Sequence, residues 1–268
     1  AAPREMKPSV HVLFPIGMEG GPQRSLSVAM QKGDLRIQMG VRACTTCGQD
    51  SPLLSCHHPR QGGGVGEMGG SCGGRTEPRQ NADDSKSRRK GIFQSIPLQS
   101  IVEQARRNLN LDRLPKKIKC VKGLMSRSQT PESLEKGVLR AKHSLPVFRD
   151  GTIRYDMSDV PTTHFKPIEV GINPLKLADL GYTHDIDGNP LTTPEQMVEL
   201  FPQDFIISHG AADFLLRITQ FIDELLERYY GMPAFYHCES REDLIGHLMI
   251  ALAPHTSGGV LSRIIGFS

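Results

Sequence analysis

Four cysteines carry the clearest chemistry in this sequence. Cys44, Cys47, Cys56 and Cys72 are spaced C-x2-C-x8-C-x15-C. Two thiolates two residues apart on a tight turn can take adjacent corners of a tetrahedral Zn²⁺ site, and Gly48 lets the backbone fold back behind them. The second pair is unusually wide, but the tract between its members is rich in glycine and closes as a loop at small entropic cost. His57 and His58 are substitute ligands for Cys56. Disulfides or free buried thiols are the competing reading. With no secretion signal and two further lone cysteines, Cys120 and Cys238, a metal is favoured. Four thiolates leave no open position for water or substrate, so the expected zinc is structural.

The second candidate is electrostatic. Nine basic residues lie between Arg113 and Lys142 against two acids, Glu132 and Glu135. From Gly171 to Ser268 the balance reverses, with five basic residues against thirteen acidic ones. Lysine and arginine neutralise phosphates and release condensed counterions, so such a segment suits a polyanion. Ser126, Ser128 and Thr130 add hydroxyl donors. A solvated charged face is the bland alternative. Aromatic residues do not interleave here, so the segment gives no support for base stacking.

Other constellations are weaker. Asp185 and Asp187 could pair on Mg²⁺ as in a hydrolase, but Asp187-Gly188-Asn189-Pro190 reads as a turn. His143, His164 and His255 fit capping or core roles as well as site roles. No HExxH, Walker or GxSxG motif occurs.

These residues need elements to position them. The chain has 268 residues, 38% hydrophobic and 6% aromatic, with 27 glycines and 19 prolines, enough for one or two domains with substantial loop. No apolar run is long enough for a membrane span and no signal peptide is visible. The start without Met suggests a processed, trimmed or partial chain. Val10–Ile16 reads as a strand, Ser25–Lys32 as two helical turns, and Leu35–Val41 as a half-buried strand by alternation. Pro97–Leu111 and Pro131–Lys142 read as amphipathic helices, the second capped by Thr130. Val147–Tyr155 reads as a hairpin around Asp150-Gly151. The C-terminal third reads as helical: a short helix at Thr193-Pro194-Glu195, a long one from Ser208 or His209 to Gly231, and one capped by Ser240 with Asp243.

Several stretches are familiar in combination. They are Met6–Gly17, Val121–Ser126, Thr130–His143, Phe148–Tyr155, Asp159–Pro167, Leu180–Asp185, Asp243–His247 and Leu252–Ser257. Their order resembles the large subunit of archaeal DNA polymerase D, a two-subunit replicative polymerase, across nearly the whole chain and most weakly between Ser55 and Ser95.

The resemblance implies an internal fragment of a much longer subunit. The expected fold is α+β: a zinc-ribbon-like module plus part of a double-psi β-barrel polymerase core, with a helical C-terminal part. Expected segments are 1–42, an N-terminal β-containing core; 43–80, the zinc module with its Gly-rich insertion; 81–92, a linker; 93–190, a basic DNA-facing α+β segment; and 191–268, a helical segment leading into the barrel.

The implied function is templated nucleotide addition by the whole subunit. In this chain Lys122, Arg127, Lys136, Arg140, Lys142, His143 and Lys166 would hold DNA. Cys44, Cys47, Cys56 and Cys72 would hold structural zinc. The Mg²⁺-binding carboxylates are expected after Ser268, so no catalytic residue is expected here and the fragment alone should be inactive. Expected partners are primer–template DNA, a small exonuclease subunit and a sliding clamp, in the cytoplasm with no membrane. The alternative is a non-catalytic zinc module that binds nucleic acid or docks a partner.

Overall fold

The computed structural model describes residues 10–58, 72–78, 92–125, 129–157, 162–253, 256 and 258–268. The Gly-rich tract, most of the expected linker, Arg127 and His255 lie outside them. The fold is mixed α/β and forms two compact units, one of Met6–Arg154 with Glu224–Ala234, the other mainly of Tyr155–Asp223 with Phe235–Ser268. No helix among the described residues is long and apolar enough to cross a membrane.

In the first unit, α1 (Leu26–Met30) leads into β1 (Leu35–Met39), whose burial alternates as its sequence does. β1 pairs antiparallel with β5 (Ile92–Ile96), Leu35 opposite Ile96. α2 (Leu98–Asn108) buries Leu98, Ile101, Val102 and Ala105, an i, i+3, i+4, i+7 face that matches its helical period. Val10–Ile16 is extended with Val12, Phe14 and Ile16 fully buried, but it is not a regular strand. Its partner is the 119–122 segment: Ile16 N–H donates to the Val121 carbonyl at 2.9 Å, and the Val121 N–H donates to Phe14. Pro15 has no N–H to continue a ladder.

α3 spans Leu134–Lys142, three residues later than its sequence suggests. Pro131 is buried and Glu132 reaches back to accept the Leu13 N–H at 3.2 Å. With these anchors 131–133 stay outside the helix, and Ser133, not Thr130, precedes it. Phe148–Thr152 closes a tight turn, with Asp150 accepting the Thr152 N–H, and no strands flank it.

A small antiparallel sheet carries the cysteines, in the order β3-β2-β4: β2 (Arg42–Cys44), β3 (Asp50–Ser51) and β4 (Thr76–Pro78). Thr76 is its polar centre. It takes the Arg42 guanidinium on its hydroxyl at 2.8 Å and donates that hydroxyl to the Leu53 carbonyl.

The second unit corrects the expected helical C-terminus. Its long helix, α5 (His209–Leu225), is as expected; the chain then continues, in residues that belong to the first unit, as a wider turn over Leu226–Tyr230, stopped by Gly231 at φ +64°. The stretch after it forms β9 (Leu248–Leu252) and β10 (Gly259–Phe267). β10 pairs antiparallel with β9 and parallel with β8 (Asp204–Ile207), with a register shift between Ile264 and Gly266. Thr193–Gln196 is a turn, and Ser240 with Asp243 caps only a 3-10 turn at Arg241–Leu244. A two-stranded pair, β6 (His164–Phe165) and β7 (Val198–Glu199), and α4 (Pro174–Asp179) complete the unit. Its core gathers Phe165, Leu177, Tyr182, Ile207, Ile265 and Phe267. Tyr182 is almost fully buried, and its hydroxyl donates to Asp204 at 2.6 Å while Arg263 closes on the same carboxylate.

Candidate metal centre and basic segment

The fold brings all four predicted cysteines together. Their sulfurs lie within 4.8 Å of one another, a group that could hold a metal ion. Cys44 and Cys72 Sγ are 3.8 Å apart, and Cys47 and Cys56 Sγ 3.6 Å. Cys44 ends β2, so the turn to β3 presents Cys47 beside it. The Thr46 and Cys47 backbone N–H groups donate to the Cys44 sulfur at 3.4 and 3.5 Å. The Cys47 N–H chiefly, with Thr46 in support, lowers the Cys44 thiol to about 6, so this sulfur is a ready thiolate. Burial pushes Cys56 up to about 12. A metal cation, by favouring the thiolate, would reverse that penalty.

The two histidines stand beside the group and outside it. His57 Nδ1 lies 3.1 Å from the Ser51 hydroxyl, and burial, with His58 adjacent, pulls it down to about 4. His58 Nδ1 is 3.4 Å from Cys56 Sγ, the position of an outer partner that steadies a ligand. Gly74 packs so tightly beneath the knuckle that a Cβ there would meet Cys44 Sγ at 2.8 Å.

The basic residues are more dispersed than their sequence suggests. Arg140 is buried: its guanidinium pairs with Glu132 and donates to the His11 carbonyl. Burial lowers it to about 10. His11 Nδ1 accepts the Lys119 N–H at 3.1 Å, and burial, with Lys119 and Arg140 nearby, lowers its pKa. Lys142 and His143 both turn to Glu224, His143 Nε2 at 2.7 Å, and Arg228 joins them at 2.7 Å. Lys136 lies over the rings of Tyr229 and Tyr230, 5.4 and 5.2 Å from their centres. Lys122 is exposed. Lys166 belongs to the other unit, where it opens a 3-10 turn. The exposed His164 has Nδ1 3.0 Å from the Thr163 hydroxyl.

Glu224, the acid on which these side chains converge, was not singled out from the sequence. Burial alone would raise its pKa, but hydrogen bonds from His143 and Lys142 and the charges of Lys142 and Arg228 outweigh it and lower the carboxyl to about 2. Only its i, i+4 spacing to Arg228 was visible in sequence. Asp185 is taken up by a turn: it accepts the Asp187 and Asn189 N–H groups at 3.0 and 2.8 Å and the Gln196 amide at 2.8 Å.

Comparisons with known proteins give the chain a family. Residues 111–268 match the DNA polymerase II large subunit DP2 catalytic domain, and residues 1–81 match its central domain. The DNA polymerase II large subunit of Methanocella arvoryzae is 43% identical over 285 residues, covering 98% of this chain and 24% of that protein. That of Pyrococcus horikoshii is 43% identical over 287 residues, covering all of this chain and 19% of the relative. That of Thermococcus kodakarensis is 41% identical over 292 residues and is covered over 15% of its length. The chain therefore spans about a quarter or less of these relatives. With two of the family's domains matched in order and identity above 40% from end to end, the chain belongs to the DNA polymerase II large subunit family.

Proposed function

We propose that this chain contributes primer–template binding and a structural zinc centre to the catalytic large subunit of a replicative, DNA-directed DNA polymerase in the archaeal cytoplasm. The supporting observation is a run of uncompensated charge. Arg113, Lys116, Lys117 and Lys122 are exposed and enter no ion pair among the described residues. DNA phosphates would follow this run, with Lys122, Arg127, Lys136 and Lys142 as contacts and Lys166 as a further one. Arg140 and His143 act from behind, through Glu132 and Glu224. In this reading the sheet β8-β10-β9 is part of a double-psi β-barrel, and the small exonuclease subunit and sliding clamp are partners of the whole subunit.

Cys44, Cys47, Cys56 and Cys72 would hold Zn²⁺. A four-thiolate zinc with Zn–S bonds of about 2.3 Å has tetrahedral edges of about 3.8 Å, close to the sulfur spacing here. With four protein ligands it supplies cohesion to the β2–β4 module and no reaction chemistry. Asp185 is committed to its turn, so no catalytic Mg²⁺ step is assigned to this chain.

Anisotropy titration of the full chain with a labelled primer–template duplex, at several salt concentrations, tests the DNA reading. Log affinity should fall linearly with log salt, and each of Lys116→Ala, Lys117→Ala and Lys122→Ala should reduce the slope by about one. A slope unchanged in all three variants, or no binding at low salt, overturns it.

A further inference from the structure

The strand pairing brings an aromatic ring to the basic segment that the segment itself lacks. On the β1–β5 ribbon, Leu35, Ile37 and Met39 face the core. Alternation therefore turns Arg36 and Gln38 outward, and the antiparallel register sets Phe93 opposite Gln38 and Ser95 opposite Arg36. Phe93 is 63% exposed, so its ring is open to a ligand. The Arg36 guanidinium carbon lies 5.8 Å from its ring centre.

This face is one wall of a cleft of about 240 Å³. Lys122-Gly123-Leu124 also line it, held beside the 14–17 segment by the Gly17 N–H to Lys122 carbonyl bond. A Cβ at Gly123 would meet nothing within 4 Å, so the approach is open. Arg36 and Lys122 line the cleft, and no acidic side chain among the described residues does. The volume is below the range of about 300–1,000 Å³ usual for whole small-molecule sites and suits one planar group. A cleft lined by a flat ring and two cations has the chemistry that takes a nucleotide: stacking for the base, charge for the adjoining phosphates.

We propose that this cleft is a single-strand subsite, in which an unpaired DNA base stacks on Phe93 while Arg36 and Lys122 take the adjoining phosphates. The proposal rests on the reading of the chain as DNA-binding and adds what the site takes: a base free of its complement. Stacking is indifferent to base identity, so the subsite selects for single-strandedness and not for sequence.

The sequence contains no tryptophan, so F93W places a lone fluorophore at the site. Oligothymidylate added to the full-length F93W chain should quench its emission in a saturable way. Phe93→Ala should bind oligothymidylate about tenfold more weakly, the size of one lost base stack, while its duplex affinity is unchanged. Phe93 is exposed, so neither variant should disturb folding, and circular dichroism checks that. Equal binding of an abasic oligomer, or no quenching while duplex binding is intact, overturns the subsite and leaves the duplex reading standing. Quenching by oligothymidylate without duplex binding supports the subsite and overturns the duplex reading. Failure to bind either probe overturns both.

Discussion

Glu224 shows how much of the basic charge in this chain serves the protein itself. Three cationic or protonatable side chains converge on one carboxylate that is 12% exposed, and its pKa falls from 4.5 to about 2. A folded-state pKa below the unfolded value gives stability that is complete above pH 4.5 and lost as pH falls toward 2. Glu224→Gln should therefore be less stable than the parent at neutral pH by up to about 3 kcal/mol. Urea midpoints measured down the acid range should show that gap closing between pH 4.5 and about 2. A gap that stays constant through that range would mean the carboxylate's charge is irrelevant to the fold. Arg140 teaches the same lesson: a sequence run of cations says nothing of which ones are neutralised by Glu132 or Glu224 until the chain is folded.

Among the elements, α3 reverses a rule of thumb. Glycine inside a helix is normally unfavourable relative to alanine by about 1 kcal/mol. Gly137 is buried, and a Cβ there would run into the side chain and backbone of Val12. Gly137→Ala should thus destabilise by about 1–3 kcal/mol, as overpacking does, where an exposed site would gain. A thermal midpoint raised by this substitution would show that the extended 10–16 segment yields easily. The cysteine module makes a second test at this scale. Elemental analysis should find one zinc per chain, lost in Cys56→Ser. His58→Ala should keep the metal but hold it about tenfold more weakly, because an outer partner is removed and no ligand is lost. Metal retained in Cys56→Ser would move the ligand set to the histidines.

The elements also mark where sequence patterns were legible. Alternation at Leu35–Met39 and the period of α2 were readable because one face of each is buried. The thiol spacing was readable because coordination chemistry restricts it. Leu248–Leu252 and Gly259–Phe267 were not, since short apolar runs look alike in a buried strand and a buried helix. At Thr130-Pro131 the local helix-start grammar lost to tertiary anchors, the buried Pro131 and the reach of Glu132 to Leu13. The Phe93 cleft was hidden for another reason: its parts come from stretches distant in sequence, joined by the β1–β5 register and by backbone bonds such as Gly17 to Lys122.

For the whole molecule, the basic run of the sequence does not translate as a whole into unpaired cations. Arg140, Lys142 and His143 are each paired with an acid, and within the basic segment the exposed cations that enter no ion pair among the described residues include Arg113, Lys116, Lys117 and Lys122. The whole chain should extend no primer under conditions in which it binds duplex, because the Asp185 carboxylate is spent on the N–H groups of its own turn and the Gln196 amide. Incorporation of labelled nucleotide by the purified 268-residue chain would place the chemistry here after all.

The β9–β10 hairpin sets a practical condition on all such experiments. Leu248, Ile250 and Leu252 stand on one side of β9 at 47–69% exposure, with Val260 and Leu261 of β10 also more than half bare. β9 closes the described sheet, so its outer rim of amide and carbonyl groups has no strand beside it. A greasy, open-edged ribbon invites chains to zip together at high concentration, and dilute samples or a lysine at Ile250 would keep the preparation monodisperse.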